Sequence, residues 1–156
     1  NPPLRTAGDA LALQAAVADG TVDCIVTDHA PHAAHEKDCE WEISYFGCIG
    51  LETSLPLMVT NMVRTNKLSF TGLVRAMSVN PRRILRLEPV KIAAGYKADL
   101  TLFDPEKKVQ ITPEYFESKS KNSAFIGTEL YGVATDVFVD GKRVLANEVI
   151  VPGGEK

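Results

Sequence analysis

Apolar and polar positions follow two regimes along the chain. Up to about residue 88 the apolar residues recur at helical spacing around one short continuous run. From about residue 90 they alternate as in β-strands separated by turns. Thr6-Ala7-Gly8-Asp9 has the form of a capping box with Asp in place of Glu, and the Ala/Leu-rich stretch behind it predicts a helix through Val17 that ends before Gly20. Residues 22–27 are short, β-branched and mostly apolar, the pattern of a buried parallel strand. A long polar loop runs from Asp28 to about Gly50. Leu55, Val59, Met62 and Val63 predict a helix over 51–67, and 70–77 a second. Asn80-Pro81 reads as the cap and first position of a third, ending near Leu87.

Beyond these, 99–103 and 108–111 are predicted strands flanking Asp104-Pro105, and 133–139 with 142–151 form a hairpin around Asp140-Gly141. The order of elements predicts an α/β chain in two parts, residues 1–88 and residues 89–156. One parallel strand cannot form a sheet, so the first part reads as a piece of a larger domain. The opening Asn1-Pro2-Pro3, with neither an initiator Met nor a signal segment, fits that expectation.

Composition narrows the classes. No apolar run approaches the roughly 20 residues that cross a bilayer. Seventeen Lys and Arg against 20 Asp and Glu give a net charge of −3 without a basic cluster, which argues against a nucleic-acid partner. Three unpaired-looking cysteines, Cys24, Cys39 and Cys48, fit a reducing cytoplasm better than secretion. None has an evident base beside it, so a catalytic thiol is not expected. No glycine-rich phosphate loop occurs.

The candidate chemistry sits in Asp28-His29-Ala30-Pro31-His32-Ala33-Ala34-His35, an acid and three imidazoles within eight residues of an apolar strand. The carboxyl end of a buried parallel strand is where α/β barrels hold their catalytic groups. A carboxylate placed there can ligate a metal, carry a proton, or do both. Pro31 stiffens the turn and holds His32 at a fixed offset from Asp28. The same residues also suit a turn cap and solvated loop histidines, and as an isolated metal site the pattern is weak.

Asn1-Pro2-Pro3-Leu4-Arg5, then Thr27-Asp28-His29-Ala30-Pro31-His32, then Phe46-Gly47 with Gly50-Leu51-Glu52-Thr53, together resemble the bacterial-type dihydroorotases of the amidohydrolase superfamily. Gly95-Tyr96-Lys97-Ala98-Asp99-Leu100 and 137–142 resemble the superfamily's C-terminal β-segment. The resemblance implies the C-terminal part of a (β/α)8 TIM-like barrel, with its last strand, loop and helices in 1–88, followed by strands of a small β-sandwich domain in 89–156. It implies that Asp28 is both a metal ligand and the general acid/base. His32, Asn1 and Phe46-Gly47 would bind substrate, the last pair through the backbone. His29 would be structural, under the metal site, while Arg5 and His35 carry no assigned role. One departure is Ser44-Tyr45, where many relatives have Ala-Pro.

The implied reaction is the reversible, zinc-dependent cyclisation of N-carbamoyl-L-aspartate to dihydroorotate in pyrimidine biosynthesis. One or two zinc ions are expected, most of their ligands lying outside this chain, which has no His-x-His motif. The chain alone is therefore expected to be inactive. Its expected partners are the small-molecule substrate, the upstream part of the same protein, and either a second copy or aspartate transcarbamoylase. Two other readings stand beside this one: a non-catalytic dihydroorotase-like subunit, and a related cyclic amidase of the dihydropyrimidinase or allantoinase type. Asp28 with His32 favours the dihydroorotase over both, because an uncharged ring has no need of the second group.

Overall fold

The computed structural model describes residues 5–155. Helix α1 (Ala7–Asp19) starts where the capping box predicts: the Thr6 N–H donates to Asp9 Oδ2 at 3.0 Å, and the Asp9 N–H donates to Thr6 Oγ1 at 3.3 Å. Gly20 ends it in the left-handed region at φ 86°. Residues 22–27, predicted as a strand, form neither helix nor ladder among the described residues. A parallel strand bonds to strands on either side, and no described segment runs beside this one. It is held instead by the helices: Ile25 N–H donates to the Ala76 carbonyl at 3.1 Å and the Asn80 side-chain amide to the Asp23 carbonyl at 2.8 Å.

The predicted loop contains one short helix, α2 (Ala34–Lys37). Helix α3 (Leu51–Met58) widens into a π turn over Val59–Val63. Pro56 inside α3 has no N–H for the Glu52 carbonyl, and the Tyr115 hydroxyl supplies the missing donor at 3.0 Å. Helix α4 (Phe70–Val74) also widens, over Arg75–Val79, and runs directly into α5 (Asn80–Ile84). The expected break at Asn80 is absent. Asn80 has helical φ and ψ, and its side chain caps the Asp23 carbonyl rather than its own helix. In π geometry the Ala76 carbonyl looks five residues on, to Pro81, which has no N–H. Ile25 takes that carbonyl.

Four strands follow: β1 (Leu100–Gln110), β2 (Glu129–Val139), β3 (Lys142–Ala146) and β4 (Val149–Glu155), an antiparallel sheet in chain order. The two strands predicted around Asp104-Pro105 are one strand with a register break between Asp104 and Lys108. Asp104 Oδ1 accepts the N–H groups of Glu106 and Lys107 and so folds the extra residues outward. Asp140-Gly141 makes the predicted turn. The stretch expected as one strand after it is split by a second turn at Asn147-Glu148, both with positive φ.

Two apolar clusters join helices to sheet. Ile49 packs with Ile111, Phe116 and Leu130. Val59, Met62, Leu68 and Leu73 pack against Phe103 and Tyr131. At Gly132, opposite the register break and with φ 95°, an added Cβ would lie 2.7 Å from Val59 Cβ.

Candidate functional site

Asp28 stands at the end of the 22–27 segment, exposed and with a φ of 44°, unusual for a residue with a side chain. The chain behind it is fixed by the bonds to Ala76 and Asn80. Ahead of it, Ala30 N–H donates to the Cys48 carbonyl at 3.0 Å. Gly50 passes close by: a Cβ there would stand 3.2 Å from the Thr27 carbonyl oxygen.

The His29 ring points away from Asp28's open side and into the start of α3. Its Nδ1 accepts the N–H groups of Gly50 at 3.1 Å and Leu51 at 3.2 Å, donors a helix start leaves unpaired. An acceptor at Nδ1 puts the proton on Nε2, which faces Ser118 Oγ at 3.4 Å. Ser118 donates both its hydroxyl, at 2.6 Å, and its N–H, at 2.9 Å, to Glu52 Oε1. Burial pushes the Glu52 carboxyl up, but the Ser118 bonds and the neighbouring His29 outweigh it and hold the group below the ordinary glutamate range. Both ring nitrogens of His29 are thus directed to the protein itself.

His32 and Phe46 are brought together. His32 Nε2 lies 2.8 Å from the Phe46 carbonyl, to which it donates, and the ring stacks on Tyr45 at 5.5 Å. Nδ1 stands 3.8 Å from Glu36 Oε2. The neighbouring carbonyls are collected in the same way: Lys37 Nζ donates to Tyr45 at 2.6 Å and to Gly47 at 3.1 Å. Gly47 adopts φ 94°, which a side chain would oppose. Three successive carbonyls are therefore turned inward, while among the described residues the N–H groups of Phe46 and Gly47 have no acceptor. Asn1 lies outside the described residues.

A cleft of about 710 Å³ opens between 31–34, Lys37 and 119–122. It touches His32 but neither Asp28 nor Phe46-Gly47. Among the described residues no three His, Cys, Asp or Glu side chains are placed to hold a metal ion. The His29 nitrogens are committed and His32 Nε2 is on a carbonyl, while the exposed Asp28 carboxylate at the end of the 22–27 segment has no partner among the described residues and is free to serve as a ligand. Its oxygen suits zinc as one member of a shared set.

Sequence reasoning missed the residues that hold this loop: Glu52, Lys37, Ser118, Ser120 and Asn122. A signal was present in Ser118-Lys119-Ser120-Lys121-Asn122, where small polar and charged residues alternate with period two. Ser118, Ser120 and Asn122 are half-buried, while Lys119 and Lys121 are exposed.

The family model described as "Amidohydrolase family" matches residues 3–144. The chain is 45% identical over 147 residues to a dihydroorotase of Elusimicrobium minutum, covering 94% of this chain and 34% of that protein. It is 43% identical over 144 residues to a dihydroorotase of Clostridium acetobutylicum, covering 92% and 34%. Among solved structures, the L-hydantoinase (dihydropyrimidinase) of Arthrobacter aurescens superposes with a TM-score of 0.89 at 30% identity, over 96% of this chain and 34% of that one. The dihydropyrimidinase of Brevibacillus agri gives 0.88 at 25% identity, over 97% and 34%. The chain spans about a third of the length of the curated relatives it matches. Among the described residues no helix is long and apolar enough to cross a membrane.

Proposed function

The chain belongs to the amidohydrolase family, and from that premise we propose that the protein containing it is a metal-dependent dihydroorotase, interconverting N-carbamoyl-L-aspartate and dihydroorotate. Residues 1–88 complete its barrel and 89–156 its β-domain, and the remaining metal ligands come from elsewhere in a cytoplasmic enzyme. The observation that carries the reading is the meeting of His32 with Phe46-Gly47 just beyond Asp28, in a chain whose identity to proteins named dihydroorotase exceeds its identity to the hydantoinases.

The residues divide the work by chemistry. A zinc ion, bound with Asp28 among its ligands, would polarise the ring amide carbonyl and make a water acidic enough to attack at neutral pH. The Asp28 carboxylate takes the proton released in the attack and delivers it to the departing ring nitrogen, and runs the same path backwards in cyclisation. The N–H groups of Phe46 and Gly47 offer donors to the ring, and His32 holds them there through the Phe46 carbonyl. Asn1 serves the substrate carboxylates, which need donors in a closed site, and the His32 ring contributes to substrate binding through the Phe46-Gly47 backbone that it orders.

The test is an assay of the full-length protein with dihydroorotate and N-carbamoyl-L-aspartate beside dihydrouracil and hydantoin. Turnover of the first pair alone is expected, and Asp28→Ala should lower it by about 10² to 10⁴ in both directions. The likeness to hydantoinases supports a second reading, a cyclic amidase acting on an uncharged ring. Turnover of dihydrouracil or hydantoin in place of dihydroorotate would establish that reading and overturn the first.

A further inference from the structure

We propose that Asn122, with Ser118 and Ser120, forms a polar clasp that positions both halves of the loop 28–47, so that this stretch ahead of β2 sets the gap between them. The inference rests on the reading of 28–47 as the substrate loop. Asn122 bonds to both halves of that loop. Its Nδ2 donates to the Ala30 carbonyl at 3.0 Å and to the Gly47 carbonyl at 3.4 Å. Its Oδ1 accepts the His32 N–H at 3.4 Å, and its own carbonyl accepts the Ile49 N–H at 3.2 Å. Ser120 Oγ accepts the His32 N–H at 3.2 Å and donates to the His32 carbonyl at 2.7 Å. Ser118 reaches the His29 ring and Glu52.

Alternate residues of one short stretch do this. Ser118, Ser120 and Asn122 meet, in order, the His29 ring, the His32 backbone, and the Ala30 and Gly47 carbonyls, while Lys119 and Lys121 are exposed. The Ser120 and Asn122 bonds to the loop fall on the backbone of residues near Asp28 and of residues assigned to substrate, and Ile49 is the one apolar core residue among them. Loss of the Asn122 amide would leave Ala30 and Gly47 without their shared donor, and the gap that receives the ring would no longer be fixed. Positioning of this kind acts on substrate affinity before it acts on fold stability.

The experiment uses the full-length enzyme with Asn122→Ala, Asn122→Asp and Ser120→Ala, and Lys119→Ala as a control. Steady-state kinetics, metal content, thermal midpoint and hydrogen exchange over 28–49 are measured for each. Asn122→Ala is expected to raise KM for dihydroorotate about tenfold, the size of one lost hydrogen bond, with kcat within about threefold and metal content unchanged. Exchange across 28–49 should quicken, and Lys119→Ala should match the wild type. Should Asn122→Ala fail to fold, Ser120→Ala carries the same expectations at smaller size. Unchanged KM and unchanged exchange would overturn the clasp. So would a fall in thermal midpoint with KM untouched, which marks a structural role alone. If the wild type does not turn over dihydroorotate, the proposed function falls separately, and the exchange rates decide the clasp: quickening supports it, and no change overturns it.

Discussion

His32 reaches the Phe46 carbonyl with one ring nitrogen and lies over Tyr45, and together with Lys37 on the Tyr45 and Gly47 carbonyls it holds the 45–47 backbone. Removing it has two effects, the loss of a donor and the release of that backbone. His32→Ala in the full-length enzyme should therefore raise KM for dihydroorotate about tenfold, the size of one lost hydrogen bond, and leave metal content intact. Metal stoichiometry measured beside KM separates the possibilities. If metal is lost with the ring, His32 is a ligand. If neither quantity moves, its bond to Phe46 has no functional consequence. His29 shows the opposite use of an imidazole. Both its nitrogens serve the protein, capping α3 and meeting Ser118, so its place in the motif is to hold Asp28's neighbourhood rigid.

At the scale of elements, helices and sheet are matched through backbone exceptions. Pro56 and Pro81 each deprive a carbonyl of its helical donor, and distant groups, the Tyr115 hydroxyl and the Ile25 N–H, replace it. The π turn after α3 carries Thr60 against β2, where its hydroxyl accepts the Tyr131 N–H at 2.7 Å. Next to that bond Gly132 lets β2 pass against Val59. Gly132→Ala meets both a positive φ and a contact of 2.7 Å. It should destabilise the full-length protein by about 1–3 kcal/mol, the usual cost of overpacking, read as a lower midpoint in urea. Trimming the obstacle with Val59→Ala in the same chain should recover part of that loss, because the two sites share one contact. An unchanged midpoint for Gly132→Ala would show that the bulge yields freely.

For the whole molecule, the decisive quantity is surface. The chain exposes 10744 Å², whereas a compact protein of 17.0 kDa exposes about 7,700 Å². Exposed large hydrophobics outnumber buried ones among the described residues, with Val26 at 80% and Trp41 at 90% exposure. Val26 lies in the segment that forms no ladder. Patches of this extent mark surfaces that another part of a protein covers. Expressed by itself, the 156-residue chain should bind hydrophobic dyes, run as larger species in gel filtration and melt without a cooperative transition. A compact monomer with a sharp melt would contradict this.

The features legible in the sequence are those decided within a few residues. The Thr6–Asp9 capping box, the left-handed stop at Gly20, the Asp140-Gly141 turn and the buried face of Val59 and Met62 all depend on neighbours along the chain. The motif around Asp28 and His32 was legible too, because its residue types are close in sequence. Tertiary structure decided what joins distant segments. It made one bulged strand of the two predicted around Asp104-Pro105, and it joined α4 to α5 through Asn80. Above all, it brought Ser120 to His32 across 88 residues and Asn122 to Ala30 across 92. The alternation over 118–122 is visible in the sequence, but serine and asparagine carry no signal of which partner they meet so far along the chain. Their hydrogen bonds are set by where the backbone brings them, and packing of the sheet against α3 and its π turn determines that.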